Sequence, residues 1–278
     1  MTNARARNLL GPTGAVVEVT STGGPERRAV VLHGFTQSRW SLIGTLLPVA
    51  EGIASEIVFL DAPGHGANLG PSSVRAFLDA VAELDPDIVI GYSMGGRLAL
   101  WLAAVHPELE AEVIAFSAHP GIEAADARAE RRRRDEALAD RLDQLARPRA
   151  LGADASNVDA FLDEWDSQPL FARRRLSERR RRGRALADPS GWAHALRAYG
   201  TGSQPDLTEA LAHSRARLAL VVGTRDTAYV AHAARLRHRA HIVTVPNVGH
   251  DVLAEAPEIA QGIVLGLLAA RRAPTSAP

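Results

Sequence analysis

Residues 88–100 read Ile88-Val-Ile-Gly-Tyr-Ser93-Met-Gly-Gly-Arg97-Leu-Ala-Leu100. The first three residues are apolar and β-branched, which is typical of a buried strand. The pattern Gly-x-Ser-x-Gly follows at residues 91–95, and the residues after it are typical of a helix. A strand, a sharp glycine-flanked turn and a helix expose a serine hydroxyl at the helix N-terminus. The stretch therefore predicts that Ser93 is an active-site serine.

Strands and helices alternate on both sides of this stretch. The predicted strands are Ala15–Thr20, Ala29–His33, Glu56–Asp61, Asp87–Tyr92, Val113–Ser117, Leu218–Gly223 and Ile242–Val245. The predicted helices are Ser41–Ala50, Ser73–Leu84, Met94–Val105, Tyr229–His238 and Pro257–Ala270. Near-continuous apolar strands that alternate with helices indicate a mainly parallel sheet flanked by helices on both faces. Together with the serine turn, this pattern predicts the α/β class and the α/β-hydrolase fold.

The alternation stops between about His119 and Asp206. This segment is rich in arginine and acidic residues and predicts helices without a convincing strand. We therefore predict an α/β-hydrolase core formed by residues 1–118 and 206–270, with a helical cap inserted at 119–205. Residues 271–278 are predicted to be a disordered tail.

Residue usage excludes several classes of protein. The 278 residues include 32 basic and 32 acidic ones, so no net charge attracts nucleic acid or a membrane surface. There is no cysteine, which excludes disulfides, thiolate nucleophiles and cysteine metal sites. The first ten residues lack the apolar region of a signal peptide, and no apolar stretch is long enough to cross a bilayer. We expect a cytoplasmic enzyme, monomeric or weakly homo-oligomeric, without nucleic-acid or membrane partners.

A serine needs a base to be reactive at neutral pH. His250 follows the last predicted strand in an Asn-Val-Gly-His loop, and Asp226 follows an earlier strand in Gly-Thr-Arg-Asp. The chain order Ser93, Asp226, His250 is the order of the catalytic triad in this fold. Two alternatives remain at this point: Asp226 could cap the helix that starts near Tyr229, and His250 could be an ordinary surface residue.

Two backbone N–H groups are expected to form the oxyanion hole. Phe35 lies in Leu-His-Gly-Phe at the end of an early strand, and Met94 follows the serine. His33, in the same loop, is expected to shape it. His65, in the turn Asp-Ala-Pro-Gly-His-Gly, is expected to pack rather than to act as a base.

Two groups of arginines point to an anionic substrate. Arg97 lies four residues after Ser93 and so on the same helix face. In the cap, Arg128, Arg131 and Asp135 share one face of a helix. Guanidinium groups bind carboxylates with two parallel hydrogen bonds. The alternative is that these arginines are solvated or paired with neighbouring acidic residues.

Four stretches together resemble one family. They are Gly91–Leu100, the Arg-x-x-Arg-x-x-x-Asp cap helix, Trp165 with Gln-Pro-Leu-Phe at 168–171, and Leu196–Pro205. They are similar to 2-succinyl-6-hydroxy-2,4-cyclohexadiene-1-carboxylate synthase of menaquinone biosynthesis. The resemblance covers the chain from about Leu32 to Glu255, and its cap motifs are more specific than the serine turn.

The resemblance implies a lyase rather than a hydrolase. The family eliminates pyruvate from 2-succinyl-5-enolpyruvyl-6-hydroxy-3-cyclohexene-1-carboxylate, using the triad to abstract a proton, and needs no metal or organic cofactor. By resemblance, the substrate is bound by side chains that can hold a polycarboxylate: Tyr92, Arg97, Arg131, Trp165 and a third arginine, Arg184, in the cap.

The chain departs from the family pattern at three places. Ala228-Tyr229 stands where the family often has Lys-Phe, and the loop Thr36-Gln-Ser-Arg-Trp40 lacks a glycine that the family has. Residues 179–182 are also arginines and compete with Arg184 for its role. The triad itself suits two further functions: a serine carboxylic ester hydrolase with an acyl-enzyme intermediate, or a ligand-binding module on the same fold.

Overall fold

The computed structural model describes residues 5–11, 14–20, 24–68, 73–150, 156–171 and 188–270, with the backbone alone for 5–11, 14–20, 147–150 and 156. The predicted tail and Arg184 lie outside these ranges. One sheet of eight strands forms the centre: β1 Arg5–Gly11, β2 Gly14–Thr20, β3 Arg28–Leu32, β4 Glu56–Leu60, β5 Ile88–Tyr92, β6 Glu112–Phe116, β7 Arg217–Gly223 and β8 Ala240–Val245.

The sheet is mainly parallel. Its strand order is β1-β2-β4-β3-β5-β6-β7-β8, and the six strands β3 to β8 pair in parallel. All five residues of β5 and of β6 are buried, which explains their continuous apolar sequence. Strand β1 was not predicted, because its sequence has no apolar alternation. It forms by antiparallel pairing with β2, which in turn pairs antiparallel with β4.

Helices cover both faces of the sheet and continue above it. They are α1 Trp40–Leu46, α2 Ala50–Ile53, α3 Val74–Ala82, α4 Met94–Val105, α5 Ala125–Ala150, α6 Ser156–Ser167, α7 Pro189–Tyr199, α8 Thr208–Ala212, α9 Thr227–Ala234, α10 Val252–Glu255 and α11 Pro257–Ala269. Short 3-10 turns lie at Leu47–Val49 and Pro169–Phe171. None of the helices in the described ranges is long and apolar enough to cross a membrane.

Two predicted helices differ from the structure for local reasons. The predicted helix Ser41–Ala50 is divided by the 3-10 turn that contains Pro48, since proline has no N–H to continue a helix. The helix predicted from Tyr229 begins two residues earlier, at Thr227, because the Asp226 side chain caps it.

The apolar core has one large cluster on each face of the sheet. Helix α4 carries nine buried residues and packs directly on the sheet behind Ser93. Helices α5, α6 and α7 follow strand β6, in the segment predicted as a cap. They share a smaller cluster that includes Phe161, Trp192 and Leu196.

The first turn of α7 is packed tightly against a loop of the core. A Cβ on Gly64 would lie 2.1 Å from the carbonyl oxygen of Gly191, and a Cβ on Gly191 would lie 2.4 Å from that of Gly64. The two backbones can approach this closely only because neither residue has a side chain. At the other end of α7, the Tyr199 hydroxyl donates a hydrogen bond to the carbonyl of Pro63. These contacts fix α7 over the serine turn.

Candidate active site

Ser93 occupies a strained turn between β5 and α4. Its φ of +51° lies in the left-handed region, which non-glycine residues rarely adopt. A Cβ on Gly91 would meet the carbonyl oxygen of Gly95 at 2.3 Å, and a Cβ on Gly95 would meet that of Leu32 at 2.2 Å. The two glycines therefore permit the turn, which holds the serine hydroxyl at the N-terminus of α4.

Ser93, His250 and Asp226 form a hydrogen-bonded triad. His250 Nε2 lies 3.0 Å from Ser93 Oγ, and His250 Nδ1 lies 2.6 Å from Asp226 Oδ2. His250 and Asp226 are both buried. The carboxylate can hold the proton on Nδ1, which leaves Nε2 free to accept the proton of the serine hydroxyl.

Asp226 combines the two roles that the sequence left open. Its Oδ2 contacts His250, while its Oδ1 accepts a hydrogen bond of 3.4 Å from the backbone N–H of Tyr229 in the first turn of α9. The helix cap orients the carboxylate toward the imidazole. Helix capping and membership of the triad are thus compatible functions of one side chain.

The expected oxyanion donors lie beside the serine. Met94 is the first residue of α4, so its N–H has no partner within that helix and is free for a ligand. Phe35 follows β3 and lines the same cavity as Ser93. An oxyanion hole formed by the N–H groups of these two residues stays a prediction; such a pair of donors stabilises a developing negative charge on oxygen.

His33 and His65 are buried in the loops below the site. His33 Nδ1 lies 2.8 Å from the carbonyl of Gly34, and its Nε2 accepts a hydrogen bond from the N–H of Ala62. His65 lies 5.1 Å from His33, measured between ring centres. Burial lowers the pKa of both histidines, so each is neutral at physiological pH. These positions suit loop packing rather than acid–base chemistry.

A cavity of about 360 Å³ opens above Ser93, between the core and the helices that follow β6. Six of the predicted site residues lie on its wall in addition to Ser93 and His250: Phe35, Met94, Tyr92, Arg97, Arg131 and Trp165. The structure thus brings together every predicted site residue within the described ranges, since Asp226 joins them through His250.

Arg97 supplies a buried cation at the base of this cavity. Its side chain is almost fully buried, and its Nη1 donates hydrogen bonds to the carbonyl of Tyr199 at 3.2 Å and to Gln204 Oε1 at 2.6 Å. Burial lowers the pKa of Arg97 to about 10, so it remains cationic at neutral pH. Within the described residues it forms no ion pair. Asp135 offsets part of the effect of burial on the pKa of Arg97 but forms no direct ion pair with it. A buried guanidinium in this situation favours an anionic ligand.

Arg131 is connected through Asp135 to the turn that contacts Arg97. Arg131 Nε donates to Asp135 Oδ1 at 2.7 Å, and Asp135 Oδ2 accepts a 2.8 Å hydrogen bond from the N–H of Gly202. Asp135 is buried, whereas the Arg131 side chain is 42% exposed. The carboxylate therefore connects α5 to the turn that holds Arg97.

Aromatic side chains form the opposite wall. The ring of Trp165 lies 5.2 Å from that of Phe35 and 6.1 Å from that of Phe171, and Phe171 in turn lies 5.8 Å from His250. These rings give the cavity an apolar wall beside the triad.

Three residues of the site were not assigned a role from sequence. Gln204 holds Arg97, Asp135 holds Arg131, and Tyr229 lies on the cavity wall beside His250. Gln204 and Asp135 belong to the motifs that carry the family resemblance, which was the available signal. Tyr229 follows Asp226 by three residues, one turn along the capped helix.

The site can perform proton abstraction from, or nucleophilic attack on, an anionic substrate. Where side chains are described, no group of three or more histidine and acidic residues is placed to hold a metal ion. The cavity instead presents a serine–histidine pair, the two residues predicted as oxyanion donors, and three guanidinium groups, those of Arg97, Arg131 and Arg134.

The sequence matches known proteins along most of its length. The model of the alpha/beta hydrolase family matches residues 29–261. A relative from Escherichia coli O1:K1 / APEC named 2-succinyl-6-hydroxy-2,4-cyclohexadiene-1-carboxylate synthase is 30% identical over 242 residues, which are 82% of this chain and 88% of the relative. A relative from Bacillus subtilis (strain 168), provisionally given the same name, is 31% identical over 280 residues, 92% of this chain and 96% of the relative.

Solved structures share the fold. The structure of MenH from S. aureus has a TM-score of 0.78 at 23% identity and covers 93% of this chain and 99% of its own. An E-2-(acetamidomethylene)succinate hydrolase has a TM-score of 0.66 at 20% identity, covering 96% and 100%. The fold prediction is confirmed, and the sequence matches also confirm the family predicted from the motifs. The chain belongs to the alpha/beta hydrolase family and, within it, to the 2-succinyl-6-hydroxy-2,4-cyclohexadiene-1-carboxylate synthases.

Proposed function

We propose that the protein is a lyase of menaquinone biosynthesis. It eliminates pyruvate from 2-succinyl-5-enolpyruvyl-6-hydroxy-3-cyclohexene-1-carboxylate and forms 2-succinyl-6-hydroxy-2,4-cyclohexadiene-1-carboxylate. The observation that carries this proposal is the buried cation of Arg97, which forms no ion pair with the described residues and lies in the same cavity as the Ser93–His250 pair. The described lining of the cavity has three arginines, Arg97, Arg131 and Arg134, and the single carboxylate of Asp135, so a substrate with several carboxylates balances the excess positive charge.

In this reaction the triad acts as a base. The Ser93 hydroxyl passes its proton to Nε2 of His250, and the serine oxygen takes a proton from the substrate ring. The electron pair of the broken C–H bond forms a ring double bond and, through the existing ring alkene, expels the enolpyruvyl oxygen. The expelled enolpyruvate anion takes up one proton on carbon, supplied by the His250 imidazolium, and becomes pyruvate, which returns the triad to its starting protonation state. Asp226 stabilises the imidazolium that forms during the step.

The remaining groups position the substrate. Arg97 and Arg131 bind its carboxylates, while Tyr92 and Trp165 shape the cavity around the ring. The N–H groups of Phe35 and Met94 face negative charge that develops on a substrate oxygen as the proton leaves. The proposal requires no metal or organic cofactor. It also places the protein in the cytoplasm, without nucleic-acid or membrane partners and as a monomer or weak homo-oligomer.

A serine ester hydrolase would use the same triad, so the assay must distinguish pyruvate elimination from ester hydrolysis. We expect purified protein to release pyruvate from the enolpyruvyl substrate without added metal and to hydrolyse p-nitrophenyl acetate slowly. Rapid ester hydrolysis with no pyruvate release would contradict the lyase proposal.

Arg97→Ala and Arg97→Lys test the charge that carries the proposal. Alanine removes the cation, whereas lysine keeps a charge without the two-pronged geometry of the guanidinium. We expect the KM for the enolpyruvyl substrate to rise strongly in Arg97→Ala and less in Arg97→Lys. Unchanged kinetics in Arg97→Ala would contradict carboxylate binding by this residue.

A further inference from the structure

Tyr229 stands next to the catalytic base. Its backbone N–H donates to Asp226, and its ring packs edge to face against His250, with 4.5 Å between ring centres. The aromatic ring therefore lies against the imidazole that exchanges protons with Ser93. Since the ring lies this close to the triad, its hydroxyl is a candidate for a role in the site.

The ring of Tyr229 is held from several sides. Besides His250, its ring centre lies 5.6 Å from that of His119 and 6.0 Å from that of His232. Tyr229 also lines the cavity that contains Ser93 and Arg97. No hydrogen bond joins its hydroxyl to another residue in the described ranges. The ring is thus fixed while the hydroxyl remains available to a ligand.

The hydroxyl is a donor at neutral pH, and both arginines and carboxylates act on it. Burial raises the pKa of Tyr229, and the guanidinium groups of Arg97 and Arg131 oppose this increase only in part. Arg97 and Tyr229 line the same cavity, so one ligand can contact both side chains. A neutral phenol beside two arginines cannot accept a proton readily, but it can donate a hydrogen bond to an anion.

We propose that the Tyr229 hydroxyl donates a hydrogen bond to a substrate carboxylate bound by Arg97, which makes Tyr229 a further substrate-binding residue. This inference rests on the proposed function only in requiring an anionic substrate. The guanidinium and the phenol approach the carboxylate from two directions. Together they constrain its orientation and stabilise its negative charge. Because the same ring packs on His250, the bound carboxylate is held at a fixed distance from the base.

Tyr229→Phe separates the hydroxyl from the ring. Phenylalanine keeps the edge-to-face contact with His250 but cannot donate a hydrogen bond. We expect the KM for the enolpyruvyl substrate to rise about tenfold, as for loss of a hydrogen bond to a charged group, with kcat changed less than about twofold. Tyr229→Leu, which also removes the aromatic contact with His250, is expected to lower kcat in addition.

A binding measurement separates this inference from the proposed reaction. Succinate and pyruvate serve as carboxylate probes, and their binding is followed by tryptophan fluorescence, since Trp165 lies on the cavity wall. The wild-type protein and Tyr229→Phe are titrated with each probe. We expect at least one probe to bind about tenfold more weakly to Tyr229→Phe.

Each outcome decides a different claim. Weaker probe binding to Tyr229→Phe supports the inference even if the wild-type protein releases no pyruvate, in which case the proposed reaction alone fails. Equal binding of both probes together with an unchanged KM overturns the inference, and so does a fall in kcat with no change in KM. Pyruvate release by the wild-type protein would stand in either case.

Discussion

Gln204 Oε1 accepts a hydrogen bond of 2.6 Å from Nη1 of Arg97, and both side chains are buried. Arg97 lies on the core helix α4, whereas Gln204 lies in the turn after α7. That turn is itself held by Asp135, which accepts from Gly202. The cation beside Ser93 is therefore positioned by residues outside its own helix, and the proposed substrate binding by Arg97 would depend on this contact.

Gln204→Leu tests whether this contact positions Arg97. Leucine fills a similar volume but offers no acceptor, so the guanidinium loses one of its two partners. We expect the KM for the enolpyruvyl substrate to rise about tenfold, with a smaller change in kcat. Gln204→Glu is the matched variant: it keeps the acceptor but neutralises Arg97, and a higher KM is expected there too. Steady-state pyruvate release measures both, and an unchanged KM in both variants would refute the positioning role.

Asp135→Asn tests the link between Arg131 and the turn at Gly202. The amide keeps one acceptor oxygen, so one of the two hydrogen bonds is lost along with the charge that faces Arg131. We expect a loss of about 1–3 kcal/mol in the free energy of unfolding, measured by urea denaturation, and a higher KM. Glu130→Gln is the control, because this exposed carboxylate pairs only with exposed arginines among the described residues and little change is expected. Equal effects of the two substitutions would argue against a special role for Asp135.

Gly64→Ala tests the close approach of α7 to the core. A Cβ at Gly64 meets the backbone of Gly191 and must also adopt a φ of +75°, so we expect a loss of about 3 kcal/mol or more in the free energy of unfolding. Gly262→Ala on α11 is the matched control, since nothing lies within 4 Å of its Cβ position. There a gain of roughly 0.5–1 kcal/mol is expected. A Gly64→Ala protein as stable as wild type would show that the two backbones can move apart without lowering the free energy of unfolding.

Acidification is expected to destabilise the fold. Burial lowers the pKa of His33, His65 and His119, so these side chains are neutral when folded and bind protons near pH 6.5 when unfolded. The unfolded state therefore binds more protons at low pH. The contribution of these histidines to the free energy of unfolding is fully present above about pH 6.5 and is lost as the pH falls below it. Each such histidine contributes a slope of about 1.4 kcal/mol per pH unit. Urea denaturation at pH 7.5 and 5.5 measures the loss, and equal stability at the two values would show that these histidines are protonated in the folded protein.

Local signals in the sequence predicted the three residues that the structure joins by hydrogen bonds. Ser93 was identified by the strand, glycines and helix around it, all within about ten residues. Asp226 and His250 were identified because each follows a strand, and the carboxyl ends of neighbouring parallel strands meet at one edge of the sheet. That edge is where the structure joins the three side chains.

Long-range contacts account for what the sequence did not predict. Strand β1 forms through pairing with β2 rather than through an apolar pattern of its own. The contact between Gln204 and Arg97 joins residues 107 positions apart. No local pattern gives Tyr229 a place on the cavity wall, since that place depends on the packing of α9 against His250. The assignment of Arg184 to substrate binding stays a prediction.

The most direct test of the proposed function is pyruvate release by the wild-type protein and by Ser93→Ala at saturating enolpyruvyl substrate. Ser93→Ala leaves the cavity and its arginines in place while removing the group that accepts the ring proton. We predict pyruvate release by the wild-type protein and a kcat lower by roughly three orders of magnitude or more in Ser93→Ala. The account would be contradicted if the wild-type protein released no pyruvate. It would also be contradicted if Ser93→Ala retained a tenth or more of the wild-type rate, which corresponds to a rise of about 1.4 kcal/mol or less in the activation barrier.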